Sequence, residues 1–175
     1  MIRTVYKVSY DVSLGELKNY LRIDPSDNTY DDEITLDFQA ATEDFEKKMG
    51  INIAITDISI NEIKWSGSSL KILEGNLIYI KGIYVNDVSV GYTLEDIQDN
   101  SFTVKLLTNV SNLKLSLSYR TGYPTGQCPK YLKKAIIRKT RDLFDIEFSS
   151  YADSNIKENP WLDQRVVNAF RKINF

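Results

Sequence analysis

Apolar residues recur along this chain at two spacings, and the change from one to the other and back divides it into a helical start, a strand-rich middle and a helical end. The first ten residues, with Val8 and Tyr10 ahead of Val12, read as extended. Ser13 and Glu16 stand at capping-box spacing, so the serine oxygen and the glutamate carboxylate can each satisfy an orphan backbone N–H. The short helix they open runs through Leu14, Leu17 and Leu21 and ends before Pro25. Thr29 caps a longer helix with Asp31, Asp32 and Glu33 in its first turn and Lys47 and Lys48 in its last, each sign at the favourable end of the macrodipole; Gly50 stops it. Its apolar line, Tyr30, Ile34, Phe38, Ala41, Phe45 and Met49, steps by three and four and turns one stripe toward a core.

From Ile51 to Tyr119 the period is two, as in Ile51/Ile53/Ile55, Ile58/Ile60, Ile78/Ile80 and Leu113/Leu115/Leu117/Tyr119, which predicts half-buried strands. Ser66-Gly67-Ser68, Glu74-Gly75-Asn76 and Asn86-Asp87 supply turn residues, so short antiparallel hairpins are expected. A loop punctuated by Gly122, Pro124 and Gly126 delivers Pro129 to the first position of a third helix, predicted to run to about Glu147. After a polar connector from Ser149 to Glu158, Asn159-Pro160 opens a last short helix through Trp161, Val166, Val167 and Phe170. At 175 residues one domain can bury roughly 70% of its unfolded surface, whereas two would each have a thin core. The expectation is therefore a single α+β domain over 1–175: a helical body from 13–50 and 128–148, an inserted antiparallel β-sheet or small β-sandwich over 51–119, and a C-terminal segment over 149–175.

Composition narrows the chemistry. There is no histidine, which removes the commonest general base, proton shuttle and zinc ligand together. The one cysteine, Cys128, cannot form an intrachain disulfide, and no signal-peptide pattern opens the chain, so synthesis in a reducing cytoplasm is expected. No run approaches the roughly 18 apolar residues that span a bilayer. Neither a Walker-type nor a G-x-G-x-x-G phosphate cradle occurs. The acids from Asp24 to Glu33 lack the central glycine and terminal glutamate of a calcium loop, and read as a solvated loop leading into a helix N-terminus. Nothing selects a carboxylate pair for hydrolysis, and Cys128, although it stands where a helix begins, has no histidine to activate it. No catalytic residue, cofactor or metal site is assigned.

Charge is segregated, although the net value is only −2. Between Asp24 and Glu46 there are nine acids and no base; between Arg120 and Arg141 there are seven bases and no acid. At about 100° per residue, Lys130, Lys134, Arg138 and Arg141 share one face of the third helix, with Ile137 beside them, and Glu33, Asp37 and Asp44 share one face of the second. Three readings of the basic face stand: ordinary solvated surface, non-specific contact with passing DNA, or a contact with the acidic helix of another copy. At the C-terminal end, Trp161, Arg165, Phe170, Arg171 and Phe175 combine aromatics with arginine, either to cap the core or to dock on a larger partner.

The run from Ser13 to Asp24, with Asp31-Asp32-Glu33-Ile34 and the Ala40-Ala41 helix after it, resembles the opening helices of the head-tail connector, or adaptor, proteins of tailed bacteriophages. Leu117-Ser118-Tyr119-Arg120-Thr121-Gly122-Tyr123 is similar to a strand of that family ending in Y-x-x-G-Y, and Cys128-Pro129-Lys130-Tyr131-Leu132-Lys133-Lys134-Ala135-Ile136 to the helix that follows it. The tail, with Arg165 and Phe170-Arg171, stands where the family's terminal segment does. The resemblance covers most of the chain and rests on the order and spacing of these motifs together. It implies a non-enzymatic virion protein, made in the host cytoplasm, that assembles into a generally twelvefold ring beneath the portal and extends the DNA channel toward the tail. Its partners would be further copies of itself, the portal protein and a downstream neck or tail protein, with no membrane. The competing readings are a small non-enzymatic protein-binding module of a virion or prophage-encoded assembly and, more distantly, a hydrolase that uses only acidic residues.

Overall fold

β-branched and aromatic residues dominate Ile55–Ile72 and Ser101–Thr121, and in the computed structural model, which describes residues 2–98 and 101–149, these form two long strands. In chain order the elements are β1 (Ile2–Ser9), α1 (Leu14–Leu21), α2 (Asp31–Met49), β2 (Ile55–Ile72), β3 (Leu77–Val85), β4 (Val88–Ser89), β5 (Tyr92–Gln98), β6 (Ser101–Thr121) and α3 (Lys130–Ser149). The described residues gather into two compact units: the strands, from 2–10 and 50–126, and the helices, from 11–49 and 127–149.

In the strand unit the sheet order is β1-β2-β6-β3-β4, with β5 also on β6, and every strand pairing is antiparallel. The β2–β6 ladder runs from Thr56↔Thr121 to Ile72↔Phe102 and shifts register three times. At those shifts Glu62 and Gly67 take left-handed φ values of 58° and 130°. Such bulges bend and twist a strand. A straight strand would hold Phe102 and Tyr119 about 55 Å apart at ~3.3 Å per residue; here their rings meet edge to face with centroids 5.4 Å apart. The sheet therefore curls into a half-barrel around Ile58, Ile60, Ile72, Ile83, Val85, Val104, Leu106, Leu115 and Leu117. Tyr119 is fully buried and its hydroxyl donates to Glu74 Oε2 at 2.8 Å, while Arg3 holds the other carboxylate oxygen at 2.5 Å.

In the helix unit α1 is built as its caps dictate, whereas α2 starts at Asp31, two residues after Thr29. Ser13 and Glu16 form the reciprocal capping box of α1, and Arg22 ends that helix in the left-handed region. α2 buries Ile34, Phe38, Ala41, Thr42 and Phe45; α3 buries Leu132, Ala135, Ile136, Thr140 and Phe144. The two buried threonines satisfy their hydroxyls on the carbonyls of Phe38 and Ile136, four residues back. Tyr30 meets Phe144 edge to face at 5.9 Å.

The expected helical body with an inserted sheet is not what forms. Among the described residues strand accounts for 46% and helix for 30%, so the sheet is the larger part. Nor is it an insertion between helices: it begins before the first helix, with β1 paired to β2 from Ile2↔Asn61 to Ser9↔Ile55. β1, read from the sequence as extended, is an edge strand with Ile2 to Tyr6 all exposed, and its place in the sheet is set by pairing with β2. Ser66-Gly67-Ser68, expected as a hairpin turn, lies inside β2 at a register shift, whereas Asn86 and Asp87, at φ 48° and 66°, do make the β3–β4 turn. Regular pairing of β2 starts at Ile55, Ile51 making only an isolated bridge to Gly75.

Candidate functional site

A helix packed on one side keeps its other side for solvent or a partner, and the two long helices divide their charges accordingly. On α3, Lys130, Lys134, Arg138 and Arg141 are all exposed, opposite the buried line, and Ile137 beside them is half-buried. Among the described residues Lys130, Lys134 and Arg138 make no ion pair. The other two lysines of this helix do: Lys133 bonds the Asp11 carbonyl at 2.9 Å and Glu16 at 3.0 Å, and Lys139 bonds Asp44 and lies over the Phe45 ring.

The acids singled out in the sequence lie on one flank of α2. Glu33, Asp37 and Asp44 are each half-buried there and each has a partner. Burial alone would raise the Asp44 carboxyl, but hydrogen bonds from Lys139 and Lys48 outweigh it and hold it below the ordinary carboxylate range. Within the chain, the structure thus pairs Asp44 of this flank with Lys139 and leaves Lys130, Lys134 and Arg138 exposed. Trp161, Arg165, Phe170, Arg171 and Phe175 lie outside the described residues.

Three features escaped the sequence reading. Lys18 is 3% exposed, with its ammonium 3.3 Å from the Pro25 carbonyl, 3.1 Å from Asn28 Oδ1 and 2.5 Å from Asp31 Oδ1. Its position was readable: 14, 17, 18 and 21 are the stripe positions of one helix face. The aspartates flanking this loop are used locally, Asp24 accepting from Ser26 and Asp27 from Thr29. The third is on the sheet's outer face, where Asp57 receives two bonds from Arg120, at 2.6 and 2.8 Å, and one from Lys81 at 2.6 Å, while Arg120 also lies over the Tyr79 ring. Residues 63 positions apart carry no local signal of such pairing.

The Asp57 carboxyl is held at about 2, against an ordinary 3.8, first by the Arg120 bonds and then by Lys81, with burial opposing. A depressed carboxylate stabilises the fold above its unfolded pKa. This contribution is therefore complete above about pH 4 and is lost as pH falls through about 2. Asp57→Asn is expected to cost about 1 kcal/mol at neutral pH, discounted for solvent screening, and to flatten stability against pH in that window, as urea titrations at pH 2 to 5 would show.

Cys128 is buried, and burial pushes its thiol up to about 11, with Asp11 adding to the shift, so the nucleophilic thiolate is scarce at neutral pH. No three potential metal ligands cluster among the described residues, and no described helix is long and apolar enough to cross a membrane.

No protein-family model and no curated protein matches this chain. Solved structures do match it. A chain in the neck of an empty gene transfer agent (GTA) particle, computed with C6 symmetry, superposes with a TM-score of 0.73 at 11% identity, covering 95% of this chain and 94% of that one. One in the virion of a native GTA particle gives 0.75 at 9%, over 97% and 95%. A third, in the neck of a native GTA particle computed with C12 symmetry, gives 0.67 at 9%, over 95% and 94%. This chain has their fold. At such identity the likeness extends to the arrangement of elements over nearly the full length of both chains.

Proposed function

We propose that this protein is a structural, non-enzymatic subunit of a phage-like virion neck, a head-tail connector that assembles into a ring beneath the portal. The observation that carries this is the near end-to-end match to chains of GTA particles, two of them in necks computed with C6 and C12 symmetry. The exposed basic line of α3 supports a role in contact rather than in chemistry. In this reading copies meet through acidic α2 and basic α3, the segment carrying Trp161, Arg165, Phe170, Arg171 and Phe175 docks on the portal, and a downstream neck or tail protein binds the ring's far side.

Purified protein mixed with portal rings and imaged by electron microscopy is expected to give a ring seated on the portal; a lone monomer that ignores portal particles would favour a small binding module instead. Reversing charge at Lys134 and Arg138 together should weaken assembly about tenfold or more, read by analytical ultracentrifugation. Contact of the same basic line with passing DNA would show as non-specific binding that falls steeply with salt.

A further inference from the structure

We infer that the seam between neighbouring copies is centred on Leu36 of α2 in one copy and Tyr131 of α3 in the next, each an exposed apolar side chain set among charges of opposite sign. The inference rests on the ring reading above and assigns its contact residues, moving the acidic side of the contact away from the flank that carries Asp44.

At about 100° per residue, Asp32, Leu36 and Glu43 fall within roughly 40° of one another, opposite the line Ile34, Phe38, Ala41 and Phe45 that α2 buries. All three are exposed, as is Ala40 beside them, and Leu36 keeps 65% of its surface in water. Lys47, in the last turn, is the only base on this ridge. On α3 the exposed ridge is Tyr131, Lys134, Arg138 and Arg141, with Tyr131 at 48% exposure. Asp44 on the neighbouring flank of α2 is half-buried, whereas Asp32, Leu36 and Glu43 are exposed.

A leucine off the buried stripe with 65% of its surface in water contributes little to the packing of its own helix. Placed among carboxylates, with an exposed tyrosine among bases on the other long helix, it forms half of a contact with an apolar centre and a charged rim. The signs restrict the geometry: α2 against α2 brings acids together and α3 against α3 brings bases together, whereas α2 against α3 pairs them. Used head-to-tail, that contact leaves a free α2 ridge at one end and a free α3 ridge at the other, and such contacts close into a ring where the rotation permits. The acidic rim of α2 would repel nucleic acid, so the occupant of this ridge is a second copy of the chain.

Two pairs of charge reversals test it, Asp32→Lys with Glu43→Lys, and Lys134→Glu with Arg138→Glu. Each double variant alone is expected to weaken assembly about tenfold or more, and mixing the two should restore rings, since every seam then pairs opposite signs again. Leu36→Lys should weaken assembly to a similar degree with little change in the thermal midpoint, because Leu36 lies on the exposed side of α2, off the buried stripe. Failure of the mixture to assemble, with both variants folded by circular dichroism, overturns the seam. So does wild-type assembly by the Leu36→Lys protein; in either case the ring reading survives if the wild-type protein still forms rings on portal particles. A wild-type protein that never forms rings overturns the ring reading itself.

Discussion

Gly122→Ala should destabilise the strand unit by about 3 kcal/mol or more, the combined effect of a forbidden backbone angle and a backbone collision. Gly122 follows directly on β6 with φ +109°, a region that L side chains rarely adopt. A Cβ there would lie 2.1 Å from the Ala54 carbonyl oxygen and 2.9 Å from Ile55 Cα. Both are backbone atoms at the start of β2, so neither can rotate away. The N–H of Gly122 meanwhile donates to the Asn76 carbonyl at 2.9 Å, which pins the chain from the other side. Gly126→Ala is the control: its φ of +80° is also left-handed but its Cβ would meet nothing within 4 Å, so only the backbone term of about 1 kcal/mol applies. Urea unfolding of both variants decides the matter; equal losses would show that the Ala54 collision can be relieved.

Lys18→Ala should cost the helix unit about 3 kcal/mol, in the range for removing one partner from a buried ion pair. The ammonium donates two hydrogen bonds to the α1–α2 loop and forms an ion pair with Asp31 at the start of α2, whose Oδ1 has no hydrogen-bond partner among the described residues. Alanine would leave those acceptors facing a cavity. Lys18→Met restores most of the hydrocarbon and should lose less, about 2 kcal/mol, the remainder reflecting the unpaired polar groups. A loss below about 0.5 kcal/mol for Lys18→Ala, typical of a surface site, would mean that solvent replaces the lysine. The same experiment probes the link between α1 and α2, since Lys18 ties one helix to the first turn of the other.

Local elements were legible where a single residue pattern decides them. The capping box at Ser13 and Glu16 formed as read, because both partners lie within one turn. The stripe of α2 was read correctly at Ile34, Phe38, Ala41 and Phe45, since burying one face of a helix requires that spacing. The basic line of α3 was legible as a face and is exposed, and Glu33, Asp37 and Asp44 share one flank of α2 as their spacing requires, but only the structure shows that Asp44 meets Lys139. Which neighbour a flanking residue meets depends on how two helices pack, not on either helix's period.

For this protein the amino-acid sequence by itself determined the helices α1, α2 and α3 and the capping box of α1, the presence of antiparallel strands, the separation of acidic from basic helix surfaces and the lack of histidine, because each depends on neighbours a few residues apart or on composition alone. Only the tertiary structure decided that β1 joins the sheet ahead of the helices, that bulges at Glu62 and Gly67 let β6 fold back until Phe102 reaches Tyr119, and that Asp57 pairs with Arg120. Those outcomes depend on contacts between residues tens of positions apart, and such contacts leave no period in the chain to be read.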